Sequence, residues 1–364
     1  MAARPVLTPE VAGPLPRDRR LAGLDVARAV ALVGVVTMNW TARFNDTAFQ
    51  ATGVGDGPAW LERVLHVYDG PLSTRFAAAL VTIAGVGVTL LAARGDTTAN
   101  RWRLRRRGLL LFAFGYGFEW VWGGQILSYY GALLVVGSFL VTVATRWLVA
   151  GAVAVAAAAA VVASAWHETS TGGHDWSWLL VVEPDSPRNL LFATVVDGTH
   201  PLVPWTAFFL TGMVVGRLDL GAPEVRRRLV AVGVALVALG YGAGTVLTRS
   251  ADGLSAYVSE VSIYPFRPLY TVAAVGTSLA AVGLLTGVRS RLLAQAGQMT
   301  LTLYLLHAFL ANVLIHWLHV EDVGLVASLA LALAYWTAAV IVASAWRARI
   351  GLGPAELVYR RFGG

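Results

Sequence analysis

Long apolar runs recur along this chain, each close to the roughly 20 residues a helix needs to cross a bilayer. Inside a bilayer every backbone N–H and C=O must be bonded within the protein, so such runs read as membrane helices. Hydropathy places ten of them, at residues 21–40, 73–93, 108–122, 126–144, 147–165, 202–216, 229–247, 269–288, 301–317 and 323–345. The third and sixth are short. Apolar residues 190–196 precede Pro201, so the sixth is expected to be a broken or re-entrant helix. Only 13% of the residues are charged and 57% are hydrophobic, whereas a soluble domain is about one quarter charged. The expected fold is all-α: a polytopic membrane helix bundle of about ten transmembrane helices.

The basic residues orient the bundle. All 28 are arginine, and the net charge is +7. With the N-terminus inside, 21 of the 28 arginines fall in inner segments. The excess of positive charge on cytoplasmic loops therefore favours an even number of spans with both termini cytoplasmic. This placement accounts for the net charge without a nucleic-acid partner. The outer connections are then 41–72, 166–199 and 248–268. Residues 1–20 carry four prolines and no apolar core, and are expected to be a cytoplasmic tail rather than a signal peptide. Residues 21–350 form the transmembrane domain and 351–364 a cytoplasmic C-terminal tail. The chain has no cysteine, which excludes a disulfide framework, a thiol nucleophile and a thiolate metal site. The missing lysine excludes a G-x-x-x-x-G-K phosphate loop.

Polar residues within or beside the apolar runs need a reason, because a charge in mid-membrane costs at least about 2.5–3.5 kcal/mol. The first span carries three. Asp25 and Arg28 are spaced i, i+3 and can pair on one helical face. Asn39, fourteen residues beyond Asp25, returns to that face after nearly four turns. His66 lies just before the second span. An imidazole there suits general-base work, and the Asn39 amide could orient a nucleophile or donate to an oxyanion. The plainer alternative makes His66 a loop histidine and Asn39 a helix cap. Asp69 and Arg75 flank a Gly-Pro entry into the second span, where Arg75 runs against the charge bias. The run Arg101–Arg107 holds five arginines, among them Arg103, Arg106 and Arg107, suited either to anionic lipid headgroups or to the phosphates of a nucleotide-like cofactor. His307, inside the ninth span, is a functional candidate or a structural hydrogen-bonding group. His316 and His319 sit at a helix end, and no metal site is expected.

At these residues the chain resembles a known group. RLAGLDVARAVALVGVVTMNW, at residues 20–40, is similar to the first span of bacterial transmembrane acyltransferases related to heparan-α-glucosaminide N-acetyltransferase. Their pattern is R-x-x-x-L-D-x-x-R-G, and here alanine replaces its final glycine. HPLVPWTAFFLTGMVVGR, at 200–217, resembles a Pro-x-x-Pro-Trp span of the same group. AGQMTLTLYLLHAFL, at 296–310, resembles its late span with a tyrosine and a histidine. GLGPAELVYRRF, at 351–362, resembles the Gly-Pro-x-Glu ending of a related bacterial membrane family of largely unknown function. The resemblance implies a catalytic asparagine after the first span, matched by Asn39, and a catalytic histidine before the second, matched by His66. Here the glycine following that histidine comes one residue sooner, as HVYDG, and the loop is longer. Bacterial relatives often have aspartate before Ile-Leu at the fourth span, where this chain has Gln125.

The resemblance implies an integral membrane acyltransferase. It would move an acyl group, expected to be acetyl, from cytoplasmic acyl-CoA to an extracytoplasmic sugar or glycolipid of the cell envelope. Acetyl-CoA or another acyl-CoA is the co-substrate and no metal is needed. Asp25, Arg28, Asp69, Arg75 and His307 support the site, Arg103, Arg106 and Arg107 meet the cofactor phosphates, and Trp176 and Trp178 offer an aromatic platform. Membrane lipids are partners, a homodimer is left open, and the location is the bacterial cytoplasmic (inner) membrane. On physics alone, a proton-coupled transporter without covalent chemistry also fits the buried Asp25–Arg28 pair, the broken sixth span and His307.

Overall fold

A computed structural model describes residues 22–45, 57–68, 70–180, 185–263 and 267–363. Asp69 and the expected N-terminal tail lie outside these residues. The described residues form fifteen α-helices and one π-turn, with no strand among them. The chain is a polytopic helical membrane protein. Helices α1 (Ala22–Arg43), α3 (Arg75–Ala92), α6 (Thr145–Ser170), α9 (Pro223–Ser250), α11 (Pro268–Leu285) and α14 (Leu325–Arg349) are long and apolar enough to cross a membrane. Helices α12 (Arg291–Gly297) and α13 (Thr300–His316), bent by 75° at their junction, make a seventh candidate. Helices α5 (Leu127–Leu140) and α8 (Leu202–Val215) are shorter and apolar. Short helices α2 (Ala59–Leu65), α7 (Pro187–Phe192) and α10 (Gly253–Ser259) lie in connections, and α15 (Pro354–Gly363) closes the chain.

Each of the ten expected apolar segments falls on a helix, with one boundary much displaced. The third is only the second half of α4 (Thr97–Phe118). That helix starts early because Asp96 caps it, accepting from the N–H groups of Thr98 and Ala99 at 2.6 and 3.1 Å. The arginine run is therefore its first turns rather than a loop. The sixth segment is broken as expected: α7 runs into the π-turn Ala193–Asp197, and α8 begins after Pro201.

The residues gather into two compact units. The first comprises Val81–Leu284 with the last few residues. There α4 packs on α5 through glycines. A Cβ on Gly108 would stand 2.6 Å from the Gly131 carbonyl, and one on Gly131 would stand 2.4 Å from the Phe112 nitrogen. Small residues let membrane helices approach this closely. Gln125 closes the start of α5: its Nε2 donates to Ser128 Oγ at 2.8 Å, and its Oε1 accepts from the Ser128 N–H at 3.1 Å.

The second unit joins the two ends of the sequence, Leu21–Leu80 and Leu285–Arg360. Its axis is α1. Val26, Ala29, Leu32, Val36 and Trp40 recur at helical spacing and are buried, packing against α12, α13 and α14. Two glycines make that packing close. A Cβ on Gly297 would stand 1.8 Å from the Asp25 carbonyl oxygen, and one on Gly23 would stand 2.1 Å from that of Thr286. Trp40 packs against Tyr335 of α14, the rings tilted by 39° with centroids 5.0 Å apart, and the Tyr335 hydroxyl donates to the Leu303 carbonyl of α13 at 2.7 Å.

Candidate functional site

The polar face of α1 meets the broken pair α12–α13 at both ends. At the N-terminal end, Asp25 is buried. Its Oδ1 accepts from Arg28 Nη1 at 2.9 Å, the i, i+3 pair expected from spacing. Its Oδ2 accepts from Gln298 Nε2 at 3.2 Å, at the junction between α12 and α13. Gln298 Oε1 in turn accepts from Arg347 Nη2 at 2.6 Å. The buried carboxylate is thus bonded on both oxygens, as burial of a charge requires.

At the C-terminal end, Asn39 Nδ2 lies 3.2 Å from His307 Nε2. His307 is completely buried, and its Nδ1 bonds to the Tyr304 carbonyl of the preceding turn. A carbonyl only accepts, so Nδ1 carries the ring proton and Nε2 presents a lone pair, which the Asn39 N–H fills. The asparagine and histidine that meet here are Asn39 and His307. The hydrogen bond of Asn39 does not go to His66.

His66 follows α2 immediately and is buried. Its neighbour Leu65 packs against Met38, the neighbour of Asn39, and against Leu325. This packing brings the two segments together. Past His66 the chain turns tightly: the Gly70 N–H donates back to the His66 carbonyl at 3.0 Å. A Cβ on Gly70 would stand 2.4 Å from that carbonyl oxygen, so only glycine fits. Thr74 adopts a left-handed φ of 50°, a strained position for a β-branched residue. Arg75 follows, buried at the start of α3.

Two residues of this constellation carried no local signal as partners. Gln298 is one. The other is Glu356 in the Gly-Pro-x-Glu ending. Its Oε1 accepts from the N–H groups of Leu301 and Thr302 at 2.7 and 3.1 Å, and its Oε2 from Thr302 Oγ1 at 2.5 Å. A carboxylate here satisfies free donors at the start of α13 and complements its dipole. The apolar context of span nine exposed His307 as a candidate, but partners far apart in sequence leave no pattern in it.

The arginines of α4 belong to the first unit, and several have protein partners. Arg101 Nη2 donates to Thr142 Oγ1 at 2.6 Å, Arg103 Nη1 to Asn100 Oδ1 at 3.3 Å, and Arg106 Nη2 to the Phe362 carbonyl at 3.1 Å. Arg107 packs against Gly363. Also in this unit, Trp176, Trp178 and Phe192 form a chain of rings at 6.2 and 6.0 Å. Glu168 holds Trp176 through its indole N–H at 2.6 Å. Among the described residues no group of His, Asp and Glu side chains could hold a metal ion.

Comparison with known proteins adds two matches. The family model described as heparan-alpha-glucosaminide N-acetyltransferase, catalytic, matches residues 20–239. One described as protein of unknown function (DUF418) matches residues 219–363. No curated protein matches the chain.

Proposed function

The chain belongs to the heparan-alpha-glucosaminide N-acetyltransferase catalytic family, and from that premise we propose that it transfers an acetyl group from cytoplasmic acetyl-CoA to an extracytoplasmic sugar or glycolipid in the bacterial inner membrane. Membership in a membrane acyltransferase family carries the general reaction, with acyl-CoA as donor. The observation that carries the site is Asn39: a polar residue within an apolar helix, inside the family match, with its amide fixed by a buried partner.

In this reading His66 removes the proton from the acceptor hydroxyl or amine as that atom attacks the thioester carbonyl. The new C–O or C–N bond forms, and the carbonyl oxygen becomes an oxyanion. Asn39 keeps its second N–H for that oxygen, a donor already oriented before the charge develops. The C–S bond then breaks, and the leaving thiolate takes the proton from His66. Asp25, Arg28 and Gln298 hold the other end of α1. Arg103, Arg106 and Arg107 meet the phosphates of the donor.

Release of free thiol from acetyl-CoA by the purified protein, against a panel of amino and hydroxyl sugars, tests this reading. Asn39→Ala and His66→Ala are each expected to lower kcat by about 10²–10³-fold. Unaltered transfer in both variants would contradict the assigned roles.

A further inference from the structure

The Asn39–His307 contact links the two family matches. Asn39 lies in the segment matched by the acyltransferase family, and His307 in the segment matched by the family of unknown function. We infer that His307 is a positioning residue for Asn39, and that the C-terminal segment serves the transfer site by supplying it. The inference rests on the acyltransferase reading above.

Three features carry it. The first is the direction of the bond. The Tyr304 carbonyl accepts from Nδ1, so in the neutral ring Nε2 is the acceptor. The NH2 of Asn39 must therefore face His307, and its carbonyl oxygen must face away. The flipped amide would set its oxygen against the Nε2 lone pair. A side-chain amide left alone has two nearly equivalent orientations, and this imidazole selects one.

The second is burial. His307 has no exposed surface, so its ring is cut off from bulk water. A buried polar pair is costly unless both members are satisfied.

The third is register. Helix α13 is pinned in its N-terminal part by polar contacts. Glu356 seats its first turn, and Gln298, at the bend just before it, bonds Asp25 of α1. Tyr335 bonds the Leu303 carbonyl one turn before His307. A slide of one residue on α13 would turn the imidazole by about 100° about the helix axis, away from Asn39. The C-terminal Gly-Pro-x-Glu motif thus acts on the site at a distance, through the helix that carries His307.

Both ring nitrogens of His307 have protein partners, so in this reading it is not the base. Its removal frees the Asn39 amide to rotate, misaligning the oxyanion donor without changing which group takes the proton. His307→Leu is expected to lower kcat by about 10–100-fold, since misplacement of about 1 Å can cost 10²-fold, with the KM for acetyl-CoA within about twofold of wild type. His307→Gln, which offers an acceptor oxygen, should recover most of the lost kcat. The pH–rate profile should keep its shape in both variants. Side-chain ¹⁵N NMR of the full-length wild type in nanodiscs should show His307 protonated at Nδ1 only, with the Nε2 resonance shifting in Asn39→Ala. That measurement needs no activity and no folded His307 variant.

Wild-type kcat in His307→Leu would overturn the inference while leaving the acyltransferase reading standing. So would loss of the acidic limb of the pH profile in that variant, the limb set by deprotonation of a general base, or a ring protonated at Nε2. Absence of transfer by the wild type across the whole acceptor panel would overturn the acyltransferase reading, and this inference with it.

Discussion

Asn39, His66 and His307 divide the work of the proposed site by what each can do chemically. In the proposed mechanism Asn39 donates without titrating and His66 moves the proton, while His307 is held between a carbonyl and an amide. A different residue shows how burial sets protonation in the connection between α6 and α8. Asp197 is buried at the end of the π-turn, and its Oδ1 accepts from the Trp166 indole at 2.7 Å. Its Oδ2 is buried with no hydrogen-bond partner. Burial raises the carboxyl from 3.8 to about 6, with the Trp166 bond pulling the other way. A raised carboxyl favours the folded state in its protonated form. That stabilisation is complete below about pH 4 and is lost as pH rises through about 6. Asp197→Asn should therefore melt above the wild type at pH 7.5, and the gap should close as the pH falls toward 4. A gap that is constant with pH would contradict the assignment.

At the scale of elements, α13 is the part most dependent on distant residues. Glu356→Ala removes three hydrogen bonds from its first turn and should cost roughly 0.5–2 kcal/mol, the range of a lost N-cap. This would be read as a lowered melting temperature, with Glu356→Gln intermediate. How legible each element is in sequence follows from the physics that places it. The break before α8 is legible because Pro201 interrupts an apolar run. The polar face of α1 is legible because helical periodicity puts Asp25 and Asn39 on one side. The start of α4 is not, since five arginines dilute its hydropathy while the Asp96 cap extends the helix through them. The bend between α12 and α13 is hidden too: residues 289–300 read as a polar inner connection, and the short helix takes its place from tertiary contacts, among them the fit of Gly297 against Asp25 and the Gln298–Asp25 bond. The Asn39–His307 bond joins residues 268 positions apart. Both were legible as costly polar groups in apolar spans, but their pairing depends on the packing of α13 on α1.

For the whole molecule, the compact units do not follow the family boundaries. The first helices of the acyltransferase match share a unit with the last helices of the chain. The expected site for the transfer chemistry is thus assembled from both ends of the sequence. The arginine distribution sets the expected sidedness, and the absence of cysteine makes this simple to measure. Ser177→Cys should react with a membrane-impermeant maleimide in intact cells, and Thr98→Cys only after permeabilisation. The reverse pattern would invert the topology. Every role proposed for Asn39, His66 and His307 depends on acyl transfer across the bilayer. Proteoliposomes of known orientation, given labelled acetyl-CoA on the cytoplasmic side and an amino-sugar or hydroxyl-sugar acceptor on the other, test it most directly. Label is expected on the acceptor, with stoichiometric thiol release and a loss of about 10²-fold or more in Asn39→Ala. No thiol release with any acceptor, together with substrate-dependent proton movement, would contradict it and identify a carrier instead.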